Sequence, residues 1–365
     1  MHLKKIKQRS QGVWDWLIGA EYPQLYYQSS GLFAELLSHL DLLQQKYQPT
    51  PWLANTHVHL IYLDLIKKKQ IVLDYDGIEE ISMQDGGITA IAWLGKNLPS
   101  DTPTILILHT LTGTPDSMRE LVKDLHRYTG WRIALCLRRG HAQLPLPVPK
   151  INLFGSTQDL KEQIQFIQQK FPLSDLYAVG SSAGTGLLVR YLGEVGDDTP
   201  IKAAFALCPG YNTETGFANV HPFYSKVMVK KLYEHFLKPY ENQWINLASY
   251  TKVLKSQNLA EFELNYYEMA GFNSYEQYVK ATNPIYVFDQ IKKPLLILNA
   301  LDDPICHIKN FFPYQQQIMQ LSNVAVVATK KGSHCGFYQG WFKTSSWAVR
   351  LMADYFLVIA KNFKK

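Results

Sequence analysis

The strongest constraint on the fold is an alternation that begins near residue 103. Short runs with apolar centres (TILILH, RIALCL, LYAVG and KAAFALC) are separated by stretches such as SMRELVKDLHRYTG and TQDLKEQIQFIQQKF. A strand with no polar alternation is buried on both faces. The intervening stretches carry apolar residues at helical spacing. Together they specify an α/β fold: a mostly parallel central sheet with helices on both faces. The alternation stops near residue 210. Residues 211–285 hold long, aromatic-rich helical stretches such as FYSKVMVKKLYEHFLKPY. Strand character returns in PLLILNA and VAVVAT, and the chain closes on the helix SWAVRLMADYFLVIAKNF. The expected organisation is a helical N-terminal segment over 1–70, a core built from 71–210 and 286–365, and a helical cap insertion over 211–285. Early strands joined by a hairpin at Asp85-Gly86-Gly87 precede the alternation.

Composition removes several function classes. Of 365 residues, 47% are hydrophobic and 19% charged, enough to bury a sizeable core. The net charge of +6 is mild and dispersed, so no nucleic-acid partner is expected. Cys136, Cys208, Cys306 and Cys335 form no CxxC pair and no zinc-like spacing. No cofactor and no metal are expected, and reduced thiols fit a cytoplasmic location. Cys335 reads as a small packed residue beside a histidine. No run of 18 or more apolar residues occurs, so no spanning helix is expected. The N-terminus sets Lys4, Lys5, Lys7 and Arg9 before Trp14, Trp16, Leu17 and Ile18. This basic and aromatic stretch reads either as a peripheral membrane contact or as a solvated tail leading into a packed helix.

The chemistry centres on LYAVGSSAGTGLLVRYL, residues 176–192. Gly180, Ser182 and Gly184 fit G-x-S-x-G, whereas Ser181 does not. The motif follows a buried strand and opens a helix, the setting of a nucleophile elbow. A serine hydroxyl is a weak nucleophile at neutral pH and needs a base oriented by a third group. That order, Ser then Asp then His, is present. PLLILNALDDPICH ends a strand in Asp302 and Asp303, and VAVVATKKGSHCGF ends the next in His334. Asp303 is the expected acid, with Asp302 the alternative. An oxyanion site needs two backbone donors. Ala183 follows the nucleophile, and Leu111 lies in the loop ILHTLTGTPDS after the first core strand.

These segments resemble the YheT-like branch of the α/β-hydrolases. That branch includes bacterial esterases, eukaryotic abhydrolase-domain lipases and yeast medium-chain alcohol acyltransferases. The resemblance spans roughly residues 47–360 and rests on YQPTPWLANTHVHL, DGGITAIAW, LHTLTG, RRGH…FGSTQDL, GSSAGTGLLVRYLGE, SYEQYVKATNPIYVFDQIKKPLLILNALDDPI and GSHCGF. It implies a serine hydrolase acting on carboxylic esters, lipid or medium-chain acyl esters favoured, with Ser182 as nucleophile, Asp303 as acid and His334 as base. Thr110 stands where the oxyanion loop usually has glycine, Thr185 replaces a second glycine, and Ala92 stands where many members have aspartate.

Two other functions remain open from sequence: an acyltransferase moving the acyl group to an alcohol, and a weakly catalytic member that binds lipid or a partner. His59 with Asp64, and His57 with His59, read as amphipathic packing rather than as acyltransferase or metal motifs. His141 reads as structural, and Cys306–His307 is not a convincing dyad. Phe223, Tyr224, Met228, Tyr233 and Phe236 are candidates for an acyl tunnel, with about half expected in the insertion's own core.

Overall fold

The computed structural model describes residues 15–363. The basic residues Lys4–Arg9 and Trp14, offered above as a membrane contact, lie outside the described residues. Trp16 and Leu17 are exposed, and Ile18 is buried. Among the described residues no helix is long and apolar enough to cross a membrane.

Nine strands form one sheet: β1 Gln24–Tyr27, β2 Gly77–Ser82, β3 Ile88–Leu94, β4 Thr104–Leu108, β5 Arg132–Leu137, β6 Leu176–Ser181, β7 Ile201–Leu207, β8 Leu295–Ala300 and β9 Val324–Thr329. Their spatial order is β1-β9-β8-β7-β6-β4-β5-β3-β2. The block from β5 to β9 is parallel, while β1, β2 and β3 pair antiparallel. The β2–β3 hairpin forms around the Asp85-Gly86-Gly87 turn, with Met83 accepting from Gly86.

The main helices are α1 Thr56–Ile61, α2 Arg119–Thr129, α3 Gln158–Lys170, α4 Ala183–Val195, α5 Pro222–Leu232, α6 Leu259–Asn265, α7 Tyr275–Thr282 and α8 Trp347–Asn362. Each buried strand sends alternate residues to opposite faces. Ile105, Ile107 and Val179 pack with α2 and α8, whereas Leu106, Leu108 and Ala178 pack with α3 and α4. This two-sided burial is why the strands show no polar alternation in sequence.

A third apolar cluster joins Leu232, Phe236 and Trp244 to Phe262, Tyr266 and Tyr278. It also contains Leu111 and Phe154, so the helices of residues 213–282 rest on the loops beyond the sheet. The N-terminal stretch departs from its expected helical character in one respect. Beside its short helices it contributes β1, which pairs antiparallel with β9 and closes that edge. Four residues carry too little periodicity to distinguish such a strand from a loop.

The C-terminal ends of β9, β8, β7, β6 and β4 lie side by side. Open α/β sheets place ligands outside that edge. Ser182, Cys208, Asp303 and His334, and the loop holding Leu111, all follow these five strands.

Candidate active site

The elbow is built by close backbone contact. Ser182 has φ 52° and ψ −119°, a strained conformation that drives its side chain away from the sheet. A Cβ on Gly184 would lie 2.1 Å from the Leu108 carbonyl oxygen, and one on Gly180 would lie 2.7 Å from Thr185 Cα. Both neighbours are backbone and cannot rotate aside. Gly184→Ala is therefore expected to destabilise the fold by about 1–3 kcal/mol or more through overpacking. Chemical denaturation checks this; a midpoint within error of wild type would contradict it. Thr185, where the resemblance has glycine, donates its hydroxyl to the Ser182 carbonyl at 2.5 Å.

Ser182, His334 and Asp303 meet although they are far apart in sequence. Ser182 Oγ lies 2.8 Å from His334 Nε2, and His334 Nδ1 lies 2.8 Å from Asp303 Oδ2. Asp303 is fixed in turn: its Oδ1 accepts from the Ile305 and Cys306 N–H groups at 2.8 and 2.9 Å. Asp302 faces elsewhere. Its Oδ1 accepts from Ser333 N–H at 2.9 Å, and Lys331 lies 3.7 Å from its other oxygen. Burial disfavours the His334 imidazolium, but the Asp303 carboxylate and the neighbouring Cys335 side chain together outweigh it and hold the His334 pKa well above its ordinary value. The arrangement therefore stabilises a proton received from Ser182.

Ala183 N–H opens α4, whose dipole adds partial positive charge beside Ser182. Leu111 lines the same cavity wall as Ser182 and Ala183. Its loop is held by Arg138, which sequence reasoning left unassigned, together with His141 and His109. Arg138 is buried and donates to the Thr110 carbonyl at 2.7 Å and the Leu153 carbonyl at 2.9 Å. Burial pulls its pKa down to about 9, so it stays charged at neutral pH. His141 Nε2 lies 2.9 Å from the Leu111 carbonyl, and the His109 ring packs 4.6 Å from that of His141. The Thr110 backbone is thus anchored even without the usual glycine. Only the arginine and histidines were visible in the sequence. Their partners are backbone carbonyls, which no residue pattern reveals.

Three buried histidines carry a stability consequence. Burial lowers His59 to about 4 and His141 to about 3, and it lowers His109 well below its ordinary value. The unfolded chain accepts these protons near pH 6.5, before the folded protein does. The stability that these three groups contribute is therefore complete above pH 6.5 and declines as pH falls toward 4. Each histidine contributes a slope of up to about 1.4 kcal/mol per pH unit. Thermal unfolding at pH 7 and pH 5 should show the drop, and His59→Gln should flatten it. Equal slopes for both proteins would refute the assignment.

Two largely apolar spaces share Ser182 and Met228 in their walls. The larger, of about 470 Å³, is lined by Leu60, Leu63, Thr110, Leu121, Phe223, Tyr224, Val227, Met228 and His334. The smaller, of about 70 Å³, is lined by Leu111, Phe154, Ala183, Phe217, Met228 and Leu259. Of the five aromatic and methionine residues singled out above, Phe223, Tyr224 and Met228 line a cavity. Phe236 instead packs against His141, and Tyr233 is partly exposed. His59 is buried and stacks on Tyr338, whereas His57 pairs with Tyr224 at 2.7 Å. Asp64 pairs with Lys68 and Lys231.

A strand–elbow–helix at the carboxyl edge of a parallel sheet, with an Asp–His–Ser relay after successive strands, defines a class of hydrolase folds. The chain belongs to the alpha/beta hydrolase fold family, whose model matches residues 103–340. Among curated relatives, embryogenesis-associated protein EMB8 of Picea glauca is 27% identical, covering 90% of this chain and 76% of its own. Phospholipase ABHD3 of Bos taurus is 26% identical, covering 92% and 84%, and monoacylglycerol lipase ABHD2 of Homo sapiens is 24% identical, covering 91% and 84%. Among solved structures, a hyperthermophilic esterase from Pyrobaculum calidifontis shares the fold with a TM-score of 0.50 at 13% identity, covering 84% of this chain and 87% of its own.

Proposed function

We propose that this protein is a serine hydrolase of carboxylic esters, acting through an acyl-enzyme on lipid or medium-chain acyl esters. The observation that carries the reading is the unbroken Ser182–His334–Asp303 chain opening on apolar cavities. The curated relatives named for phospholipase and monoacylglycerol lipase activities support a lipid-ester substrate. The collinear segments quoted above support placement in the YheT-like branch, with the helices of 211–285 acting as a cap over the substrate.

In the first half-reaction Ser182 Oγ attacks the ester carbonyl carbon while His334 Nε2 takes its proton. Asp303 holds the imidazole in place and stabilises its positive charge. The N–H groups of Leu111 and Ala183 receive the developing oxyanion, each worth about 3–4 kcal/mol in comparable sites. The C–O bond to the alcohol then breaks, and His334 returns the proton to the departing oxygen. In the second half-reaction His334 deprotonates water, which attacks the acyl-enzyme. The acid leaves, and Ser182 regains its proton.

A fluorophosphonate probe should label Ser182 in folded protein, and a p-nitrophenyl ester series of increasing chain length should show an optimum. No labelling and no turnover at any length would sink the proposal. An ethyl ester formed in excess ethanol would redirect it to acyl transfer.

A further inference from the structure

Beyond hydrolysis, we infer that Cys208, His334 and Cys335 form a binding site for a soft divalent cation of the zinc class, which shuts the candidate active site. The two cysteines are separated by most of the distance between β7 and the C-terminal helix in sequence, yet they meet at the sheet edge. Cys208 Sγ, Cys335 Sγ and a His334 ring nitrogen all lie within 4.8 Å of one another. Cys335 N–H points at Cys208 Sγ, 3.3 Å away, so the backbone itself holds the two side chains in register. Neither cysteine is in a disulfide.

The donor set suits the cation. Zinc favours tetrahedral thiolate and imidazole ligands, and two cysteines plus one histidine leave a fourth position open. Ligand atoms on such an ion are about 3.5–3.8 Å apart. The three side chains therefore need to close by only about 1 Å from their present separation. A metal-bound histidine normally donates its other N–H to a carboxylate, which fixes the ring and raises its basicity. That partner is in place: His334 Nδ1 lies 2.8 Å from Asp303 Oδ2. Entry is open as well, because Cys335 and His334 both line the larger cavity.

The consequence follows from competition for one lone pair. With Nδ1 engaged by Asp303, the cation takes His334 Nε2, the nitrogen that now lies 2.8 Å from Ser182 Oγ. Each cysteine binds as thiolate, its proton passing to solvent. The cation occupies the His334 electron pair, so Ser182 keeps its proton and its base is blocked.

Cobalt(II), added to full-length protein under a thiol-free reductant, is the probe. One cobalt per chain should give thiolate-to-metal charge-transfer absorption together with tetrahedral ligand-field bands. Cys335→Ser and Cys208→Ser should each lose charge-transfer intensity, with circular dichroism confirming that they fold. Asp303→Asn keeps all three ligands and should weaken cobalt binding by about 10- to 100-fold. Zinc should inhibit ester hydrolysis, and a chelator should restore it. Cys335→Ser should be at least about tenfold less sensitive when each protein is compared with its own metal-free rate. Absence of the charge-transfer bands, or bands unchanged in folded Cys335→Ser and Cys335→Ala, would overturn the site. The inhibition rests on the proposed hydrolase reading, whereas the cobalt spectrum does not. Bands in a protein that cleaves no ester would leave the site standing and remove the hydrolase.

Discussion

Ser182→Ala is expected to lower kcat for ester hydrolysis by about 10⁶-fold. What remains is the catalysis that oxyanion donors and substrate binding supply without a nucleophile. The size of the loss follows from the relay acting as a unit. Without Ser182 Oγ, the base 2.8 Å away at His334 Nε2 has no hydroxyl to activate, and no acyl-enzyme forms. The substitution is a clean one. Ser182 already occupies φ 52°, so alanine meets a strain the native residue also bears, and the backbone bond from Ser182 N–H to the Leu207 carbonyl is kept. Thermal stability should therefore change little while turnover collapses. Ser181→Ala is the internal control. That hydroxyl is buried and points at Cys335 Sγ, 3.6 Å away, rather than at His334. If Ser181→Ala removed activity and Ser182→Ala did not, the assignment of the nucleophile would be reversed.

The fold was legible because its signal is physical and local. Strands buried on both faces are apolar along most of their length, and residues 105–108, 133–137 and 295–298 form continuous apolar runs within β4, β5 and β8. The sheet then orders the functional loops without further information. Once β4, β6, β7, β8 and β9 are neighbours, residues following them converge whatever their separation in sequence. That is why the elbow motif, residue type, chain order and position at strand ends sufficed to group Ser182, Asp303 and His334 as candidates. Other parts of the site lacked such a signal. Arg138 braces the Leu111 loop through carbonyls, so no acidic partner in the sequence betrays it. Cys208 and Cys335 obey no metal-ligand spacing, because the sheet rather than a local loop brings them together. The cavity linings were also opaque. Met228 and Phe236 lie on the same helical run, yet Met228 faces both cavities and Phe236 faces the cluster beneath. A sequence stripe shows which residues are apolar but not which side of a thin layer they meet.

The two adjacent aspartates give the second large effect, because the structure treats them so differently. Asp303→Asn is expected to lower kcat by about 10⁴-fold with little change in KM. An asparagine amide at Oδ2 presents a donor toward His334 Nδ1, or else an oxygen without negative charge. In the first case it favours the tautomer with Nε2 protonated, which cannot take a proton from Ser182. In the second it leaves the imidazolium without the carboxylate that now stabilises it. The Asp303 Oδ1 contacts with Ile305 and Cys306 N–H groups argue that the loop keeps its shape, since an amide oxygen accepts from both. Asp302→Asn should cost far less. Its carboxylate accepts from Ser333 N–H and lies 3.7 Å from Lys331 Nζ, so an amide oxygen replaces most of what it does. The loss there should fall within about tenfold and show mainly as modest destabilisation, because a charge at that separation near the surface contributes about 1 kcal/mol or less. Steady-state kinetics on a short-chain ester, with unfolding midpoints for both variants, separates the two. A larger kcat loss in Asp302→Asn than in Asp303→Asn would mean that His334 turns to Asp302 during turnover, and the relay would have to be redrawn through that carboxylate.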